Sequence, residues 1–437
     1  MSSSDTRRVL IAGLALLVAT GPAAAEWRPA TELSPEELER ADLSGPGPRN
    51  PEIGYVPEEV YPLQAPFNAE EMGYRLMNFN HVASWSHMLA DVFGSVTKEG
   101  YLTEGITLGM VDSVGDLGPE ARIYGKPGET YQRWSYFYTY PPRDEGVQQV
   151  WHLKRSGPEQ PTKLDFFVYS PSLRRVRRQP PPRRDSQFPD SVQSFDDIVG
   201  LEAWEFEWTL LGADVLHKTV RFPNTRPTIT LSRADGTFYE KKTDEIKMMG
   251  DDYPYYRPDG GVDTFVIEAV PRGDWLPTYR IARILYWVDQ HYFFPLRIEQ
   301  YDAEGALRTI QVRAGERQNR DLPEGFGYTN PHSVYWDVRL DLVTYSVHDA
   351  MLVQKWTEKE RETLFNPDFM RRRWLRNNAR SQSLVVDPEK FHLRPELLEG
   401  RFPEHRPIKI APAVRARVEA QNAAGRMIFA GTEEDGS

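Results

Sequence analysis

Residues 280–312 read RIARILYWVDQHYFFPLRIEQYDAEGALRTIQV. This stretch divides into three runs that are rich in branched and aromatic residues: Arg280–Val288, Tyr292–Tyr301 and Ala306–Val312. Between the last two runs, Asp302-Ala303-Glu304-Gly305 places a glycine where a tight turn needs a positive φ. Short runs joined by such turns predict an antiparallel β-meander.

The same strand pattern continues on both sides of the meander. Further runs place large apolar residues at every second position: Trp134, Tyr136, Tyr138 and Tyr140; Trp151 and Leu153; Leu164, Phe166 and Val168; and alternate positions of Val262–Val270. The spacing that parallel βαβ units require is missing from the sequence. The chain is therefore predicted to be mainly β with flanking helices, built on a strongly curved antiparallel sheet or an incompletely closed β-barrel.

The clearest alternation of apolar and polar residues lies at 334–342. Val334, Trp336, Val338, Leu340 and Leu342 interleave with Tyr335, Asp337, Arg339 and Asp341. We expect one strand here, with a dry face that carries Trp336 and a wet face that carries the other set.

Helical spacing appears at three places outside the predicted sheet. A short helix is expected near Pro35–Ala41, and Asn366-Pro367-Asp368 predicts the start of a closing helix that runs to Arg376. One or two amphipathic helices are expected over residues 68–93. Their apolar positions are Met72, Leu76, Met77, Phe79, Val82, Trp85, Met88 and Leu89.

The beginning of the chain predicts export. Arg7 and Arg8 precede the apolar stretch Val9–Thr20, and Ala23-Ala24-Ala25 supplies small residues before Glu26. This order is typical of a secretory signal peptide cleaved near Ala25/Glu26, and the apolar stretch is short for a membrane span. We predict a periplasmic protein that does not span the membrane after cleavage; the arginine pair leaves ordinary secretion and twin-arginine export both open, with ordinary secretion favoured.

Charge and cysteine content exclude several classes of function. Cleavage would remove Arg7, Arg8 and Asp5, and the net charge of −11 would become −12. An acidic protein is a poor ligand for nucleic acid and for anionic membrane surfaces. The chain has no cysteine, so the sequence provides no disulfide, thiol nucleophile or thiolate metal ligand.

Motifs for catalysis are missing from the sequence. It contains no nucleophile elbow, P-loop, dinucleotide fingerprint or His-Glu-x-x-His pair. The nine histidines are scattered. Asp196-Asp197 and Asp251-Asp252 are expected to serve as loop caps or salt-bridge partners rather than as an acid/base pair. We predict a protein that is not an enzyme and needs no cofactor or metal, with a hydrolase whose catalytic residues are dispersed as a remaining alternative.

Two sets of residues are candidate binding sites. A curled sheet that does not close leaves a concave aromatic face, which needs a helix lid or a ligand. Core packing is the ordinary alternative for each of the aromatic candidates, which are Trp134, Tyr136, Tyr138, Trp151, Phe166 and Trp336. Arg174, Arg175, Arg177 and Arg178 form a basic run that is either a solvated strand face or a docking patch for an acidic partner or an anionic headgroup.

The basic run also carries a family resemblance. Residues 169–178 (Tyr-Ser-Pro-Ser-Leu-Arg-Arg-Val-Arg-Arg) resemble the Tyr-x-Pro-x-x-Arg-Arg-Val-Arg-Arg stretch of a proteobacterial domain-of-unknown-function family whose members are described as similar to outer-membrane lipoprotein-sorting (LolA/LolB-like) proteins. Further segments resemble that family in order: 194–197, 208–212, 221–224, 266–269, 283–289, 301–305 and 366–372.

The resemblance implies a LolA/LolB-like sheet with helices on its concave side, and a role in moving hydrophobic molecules through the envelope. Four regions are expected: a signal peptide at 1–25, a Pro- and acid-rich arm at 26–66, the curved β-domain at 67–376 and a partly flexible extension at 377–437. The first hypothesis is a periplasmic carrier or chaperone for a lipid, an acyl chain or another hydrophobe. The alternative is an accessory subunit that carries no cargo and docks onto an outer-membrane protein or an RND-type exporter. The resemblance implies these two partners, because members of that family are often encoded beside them.

Overall fold

The computed structural model describes residues 27–44, 65–80, 86–97, 100–113, 128–140, 143–155, 157, 162–217, 228–232, 238–242, 246–317, 328–353 and 355–370. The predicted signal peptide at 1–25, the extension at 377–437 and the closing helix beyond Met370 lie outside these residues.

The described residues form sixteen strands. They are β1 Arg28–Pro29, β2 His87–Thr97, β3 Gly100–Ser113, β4 Thr130–Tyr140, β5 Gln148–Lys154, β6 Leu164–Ser170, β7 Arg175–Gln179, β8 Phe206–Leu216, β9 Thr228–Ser232, β10 Phe238–Lys242, β11 Val262–Pro271, β12 Arg283–Asp289, β13 Pro295–Tyr301, β14 Leu307–Arg317, β15 Tyr328–Asp337 and β16 Leu342–Val353. The predicted meander is confirmed as β12–β14, and Gly305 has a φ of 79° in its last turn.

Fourteen of these strands form one antiparallel sheet in the order β1-β8-β11-β12-β13-β14-β15-β16-β2-β3-β4-β5-β6-β7, while β9 and β10 pair separately. The large sheet thus consists of two meanders joined by the pairing of β16 with β2. Trp151 of β5 and Arg313 of β14 line the same cavity although five strands lie between them. The sheet therefore curls strongly. Among the described strands β1 and β7 remain its two edges, so it does not close.

Helices are few and short. The described α-helices are α1 Pro35–Leu38, α2 Ala69–Asn80, α3 Phe195–Val199 and α4 Glu358–Leu364, and 3-10 turns occupy Ala30–Glu32, Ala203–Glu205 and Pro367–Phe369. α2 packs on the concave face of β8, β11 and β13. Its Met72, Leu76 and Met77 join Phe265 and Ile267 in the main apolar core. This half of the concave face is filled, as the resemblance implied.

The last described segment covers the opposite, convex face. Trp356 is buried against Met110 and Phe365, and its Nε1 donates a hydrogen bond to the Val111 carbonyl oxygen at 2.7 Å. Arg361 binds Asp112 at 2.9 Å between Nε and Oδ1. At the predicted helix start the structure has a 3-10 turn, which the Asn366 side chain caps by accepting from the Asp368 amide at 3.0 Å.

The described part of the N-terminal arm docks against the sheet. Arg28 and Pro29, which form β1, pair with Ala213 and Gly212 of β8. Glu37, in the short helix predicted near Pro35–Ala41, accepts two hydrogen bonds from Arg28 at 2.6 Å each and one from Gln290 at 2.8 Å. These bonds fix the arm to the end of the sheet.

The single strand expected at 334–342 was wrong. β15 ends at Asp337, residues 338–341 make a turn in which Asp341 has a φ of 49°, and β16 begins at Leu342. The expected faces were also wrong, because Tyr335 and Asp337 are 4% exposed whereas Trp336 is 38% exposed. The concave side of this hairpin is buried but polar, so hydrophobicity did not indicate which side faces inward.

The helical prediction for residues 68–93 holds only for its first part. Ala69–Asn80 is helical, but His87–Thr97 is strand β2, and residues 81–85 lie outside the described part of the chain. Leu89, Asp91 and Phe93 share the concave face of β2; Asp91 and Phe93 have cross-strand partners on both β16 and β3, and Leu89 has one on β3. Two ladders of backbone hydrogen bonds thus outweigh a weak helical periodicity.

Candidate functional site

A cavity of about 420 Å³ opens on the concave face beside the filled half. Its walls come from β2, β3, β4 and β5 on one side, from β14, β15 and β16 on the other, and from residues 188–198 above. The residues that line it are His87, Leu89, Asp91, Phe93, Ser95, Thr107, Val111, Trp134, Tyr136, Tyr138, Asp144, Val147, Gln149, Trp151, Phe188, Pro189, Ser191, Gln193, Asp197, Ile198, Arg313, Ser333, Tyr335, Thr344 and Ser346.

The space beneath the aromatic residues comes from small side chains on β3. Gly105, Thr107 and Gly109 occupy successive concave positions of this strand. A Cβ atom at Gly109 would lie 2.8 Å from Cε1 of Tyr136, and one at Gly105 would lie 2.4 Å from Cζ of Phe93. The rings of Phe93 and Tyr136 therefore fold over the bare backbone of β3, and of these three residues Thr107 lines the cavity.

An aromatic wall rises from β4 and β5. The rings of Trp134 and Trp151 stack with centroids 5.6 Å apart, and Tyr136 meets both of them edge-on at 5.8 and 5.9 Å. Gln132 and Gln149 hold the two indoles, since their Oε1 atoms accept from Trp134 Nε1 at 3.1 Å and from Trp151 Nε1 at 3.0 Å. The wall is apolar on its face, and both of its indole nitrogens have a hydrogen-bond acceptor.

Asp91 places a carboxyl group beside this wall. Ser346 Oγ donates to its Oδ1 at 2.8 Å. Burial raises the pKa of Asp91 to about 7, and the hydrogen bond from Ser346 only partly opposes that rise. Burial, together with the nearby Asp91 charge, also raises the pKa values of Tyr136 and Tyr138, the latter to about 12. The carboxyl is thus close to half ionised at neutral pH.

The opposite wall carries a guanidinium. The side-chain amide of Gln311 is oriented so that both its oxygen and its nitrogen have partners. Its oxygen accepts from Arg313 Nε and Nη2 at 2.7 and 2.8 Å, and from the Tyr335 hydroxyl at 2.9 Å. Burial raises the pKa of Asp197, while its bonds to Ser194 and the charge of Arg313 oppose that rise. Arg313 and Asp197 thus lie within electrostatic reach of each other across this end of the cavity.

A strap, defined here as residues 185–198, crosses the cavity. Gln187 and Ser194 form a bridge that folds the strap on itself, with Phe188 and Pro189 between them. The Val192 amide donates to Thr344 Oγ1 at 2.8 Å, which ties the strap to β16. At its end, Ser194 and Asp197 form a capping box at the start of α3, so the predicted capping role of Asp197 is confirmed.

Buried ion pairs anchor both ends of the strap. Arg184 binds Asp196 at 2.9 Å between Nε and Oδ1, and it also binds both carboxylate oxygens of Glu205. Burial opposes ionisation of Glu205, yet Arg184 and Lys163 outweigh it and lower the pKa of Glu205 to about 2. The Tyr279 hydroxyl donates to Asp196 Oδ2 at 2.8 Å. Asp196 thus acts as an ion-pair partner, as predicted.

A family model described as "Protein of unknown function (DUF1329)" matches residues 54–371. The chain belongs to the DUF1329 family. A search of curated proteins found no match to this DUF1329 chain. The match spans most of the region that the sequence resemblance covered.

Solved structures similar to this DUF1329 chain have low sequence identity to it. A domain from Vibrio parahaemolyticus, described as a candidate outer membrane lipoprotein-sorting protein, is 14% identical with a TM-score of 0.46, over 70% of this chain and 98% of that one. A DUF1329 family protein from Desulfovibrio piger is 14% identical with a TM-score of 0.44, over 68% and 97%. The LolA superfamily protein NE2245 from Nitrosomonas europaea is 15% identical with a TM-score of 0.36, over 67% and 96%. At these sequence identities and TM-scores, the similarity supports no statement about the function of this chain.

The structure brings together four of the six aromatic residues singled out in the sequence of this DUF1329 chain. Trp134, Tyr136, Tyr138 and Trp151 line the cavity. Phe166 lies behind them, with its ring 5.2 Å from that of Trp151. Trp336 does not line the cavity, because it lies on the convex side of the β15–β16 hairpin, where its Nε1 donates to Asp341 Oδ1 at 3.2 Å.

The four arginines of the basic run lie at an edge of the sheet. Arg174 is in the turn before β7 with a φ of 51°, and Arg175, Arg177 and Arg178 are on β7; all four are exposed. Arg178 pairs with Asp165 on the neighbouring strand. The turn also presents Leu173, which is 51% exposed.

Sequence reasoning missed the polar half of the cavity. Asp91, Arg313, Tyr335 and Thr344 all line it. Asp91 lay in a segment that was assigned to a helix, and Tyr335 lay on the face that was assigned to solvent. The one signal that could have been used is Gly105-x-Thr107-x-Gly109, because small residues at alternate positions of a strand mark a face with room beside it.

Two negative observations apply to the described residues of this DUF1329 protein. They include no group of three or more His, Asp or Glu that could hold a metal ion. Nor does any helix among them have the length and apolar character needed to cross a membrane.

Proposed function

We propose that this protein is a periplasmic carrier or chaperone that binds one hydrophobic or amphipathic molecule in the cavity of its curved sheet. The observation that carries the proposal is the cavity of about 420 Å³ itself, with its stacked Trp134 and Trp151 wall. Its volume falls within the range of about 300–1,000 Å³ that is usual for small-molecule sites. That size suits one acyl chain or one drug-sized molecule.

The energetics suit a carrier. Moving about ten methylene groups from water into such a cavity gains roughly 8 kcal/mol. This equals the standard free energy of a Kd of about 1 μM, before the cost of association is subtracted. The resulting affinity would hold a cargo through the periplasm and still allow its release. The sequence contains no ATP-binding loop, so transfer would follow affinity differences between donor, carrier and acceptor.

The compartment follows from the predicted signal peptide. A molecule with a long apolar chain that crosses the periplasm leaves one membrane before it reaches the other, so its chain would be exposed to water. A protein cavity that encloses the chain lowers the free-energy cost of this exposure. We infer that the strap, which lies over the cavity, separates the cargo from water.

The test uses the mature protein, expressed without residues 1–25. The fluorescent probe N-phenyl-1-naphthylamine is titrated into the protein, and dodecan-1-ol is then used to displace it. Val147 lies at the cavity wall, so Val147→Trp fills part of the space. We expect probe binding to the wild-type protein, displacement by the alcohol, and a large loss of both in Val147→Trp.

Val270→Trp is the matched control, because Val270 is exposed on the convex side of β11. This substitution adds the same indole without entering the cavity, and binding should remain as in the wild type. Equal binding by both variants, or no binding by the wild type, would show that the cavity does not take apolar molecules.

A second candidate function is docking onto an envelope complex. The exposed Leu173 beside Arg174, Arg175 and Arg177 favours it, since an apolar tip framed by arginines suits a surface with acidic groups. This function predicts that envelope partners, such as an outer-membrane protein or an RND-type exporter, co-purify with the protein.

The docking candidate is tested by replacing Arg174, Arg175 and Arg177 with glutamate while Arg178 is kept, because Arg178 pairs with Asp165. The control replaces the exposed Arg339 in the same way. Partners lost from the first variant alone would support docking. Unchanged co-purification would show that the basic run is a solvated strand face and does not bind partners.

A further inference from the structure

One carboxyl group of the cavity lies among aromatic rings. Register across β2, β3 and β4 places Asp91, Thr107 and Tyr138 in one row of the concave face, and Leu89, Gly109 and Tyr136 in the next. Phe93, two residues along β2, meets the Tyr138 ring edge-on at 6.3 Å. The Asp91 carboxyl is thus framed by the side chains of Phe93, Tyr136 and Tyr138.

The charged groups of the cavity are unequal in sign. The lining carries three carboxyl groups, on Asp91, Asp144 and Asp197, against one guanidinium, on Arg313. Arg313 faces Asp197 and the Gln311 amide at one end, whereas Asp91 lies beside the aromatic wall. Asp144 is paired with Arg143 at 3.3 Å, so the charged group that the lining places at the aromatic wall is the carboxyl of Asp91.

We propose that the cavity selects amphipathic cations, with an amine or quaternary ammonium group placed between Asp91 and the faces of Tyr136, Tyr138 and Phe93. This rests on the function proposed above and names the class of its cargo. Aromatic faces attract cations through their quadrupoles, and a carboxylate adds a full opposite charge where water is scarce. The apolar remainder of such a molecule lies against Trp134 and Trp151.

The ionisation of Asp91 fits this assignment. The groups that face it include the Ser346 hydroxyl from β16 and the phenols of Tyr136 and Tyr138 from β4. Burial raises the pKa of Asp91 to about 7. A bound cation stabilises the carboxylate, so binding drives off the proton that Asp91 otherwise keeps for part of the time.

The experiment compares three ligands of equal chain length: dodecylamine, dodecan-1-ol and dodecanoate. Each is titrated into the mature protein at pH 7.5 below its micellar concentration, and displacement of N-phenyl-1-naphthylamine is followed. We expect the amine to bind about tenfold more tightly than the alcohol, equivalent to about 1.4 kcal/mol. Dodecanoate should bind most weakly.

The variant Asp91→Asn keeps the shape of the side chain and removes its charge. It should bind amine and alcohol equally, with the affinity for the alcohol unchanged. Asp165→Asn is the matched control, because it removes a carboxylate from the convex face, where Asp165 pairs with Lys154. That variant should keep the full preference for the amine.

The outcomes separate this inference from the function on which it rests. Tightest binding of dodecanoate, or a preference for the amine that survives in Asp91→Asn, would overturn the assignment to Asp91. Equal binding of all three ligands would overturn selectivity for cations and leave the carrier function standing. If none of the three binds, the carrier function itself fails.

Discussion

Asp91 should make the protein less stable as the pH rises from acid to neutral. Its pKa is about 7 in the folded protein against an ordinary value of 3.8. Between these values the folded state keeps a proton that the unfolded chain has released, so the free energy of unfolding falls with rising pH. The stabilisation is fully present below pH 3.8 and is lost by about pH 7. At about 1.36 kcal/mol for each pH unit, the loss reaches roughly 4 kcal/mol.

Replacing Asp91 with asparagine removes this titration and keeps the shape of the side chain. Near pH 4 the variant should be about as stable as the wild-type protein, because a protonated aspartate and an asparagine are both neutral. Above pH 7 it should be more stable by up to about 4 kcal/mol. Because the side chain keeps some access to the cavity, this figure is an upper bound.

The assay is urea unfolding followed by tryptophan fluorescence at pH 5, 6, 7 and 8, with free energies taken by linear extrapolation. Asp165→Asn is the opposite-sign control, since Lys154 and Arg178 lower the pKa of Asp165 in spite of its burial. That variant should lose stability relative to the wild type at neutral pH. A difference between Asp91→Asn and wild type that is constant from pH 5 to 8 would refute the reasoning.

Three further predictions concern other parts of the fold. Trp151 is 2% exposed in the aromatic wall, so Trp151→Ala should cost about 3–5 kcal/mol in urea unfolding, and a loss below about 1 kcal/mol would contradict its packing role. Burial opposes ionisation of Glu37, but its bonds from Arg28 lower its pKa to about 2, so the wild type should lose stability as the pH falls from 4.5 to 2. Glu37→Gln should be about 2 kcal/mol less stable at pH 7 and should match the wild type near pH 2; a gap unchanged by acid would contradict this. Gly109→Ala should push the Tyr136 ring into the cavity and weaken probe binding, with only a small change in the free energy of unfolding. Unaltered probe binding would show that the backbone of β3 shifts and the Tyr136 ring does not.

The meander was predictable from sequence because its signals are local. Branched and aromatic residues favour strands, and Gly305, with a φ of 79°, fits the last turn without strain. Asp302 also accepts from the Ala306 amide at 2.8 Å, which is a typical role for aspartate in a turn. None of these features depends on the rest of the protein.

The 334–342 hairpin was not predictable from its alternation. The period of two continues through the turn, which is made instead by Asp337 accepting from the amides of Arg339 and Leu340 at 2.9 Å each. Which face points inward depends on what lies opposite it in the folded sheet. Tyr335 faces a cavity with polar walls, and a burial rule based on hydrophobicity therefore assigns it to the wrong side.

The candidate site shows the same division between local and distant information. Trp134, Tyr136, Tyr138 and Trp151 could be found from sequence because they belong to two neighbouring strands with strong alternation. Asp91 could not, because its role depends on β2 lying between β16 and β3, a pairing between segments about 250 residues apart. A contact of that separation leaves no trace in a local pattern.

The cavity occupies one part of the concave face, and apolar side chains fill another part of the same face. On the same face, α2 packs its apolar side chains into the core around Phe265 and Ile267, so this chain is able to fill part of a curved sheet with apolar side chains. Beside that core, β3 presents Gly105, Thr107 and Gly109, and the walls carry charged groups that lower stability when they are buried. Larger apolar residues in place of Thr107 and of the charged groups would fill the cavity, whereas at Gly105 and Gly109 even a Cβ atom would clash with the rings of Phe93 and Tyr136. Small and charged residues here, next to a well-filled core, support the proposed binding of an amphipathic molecule.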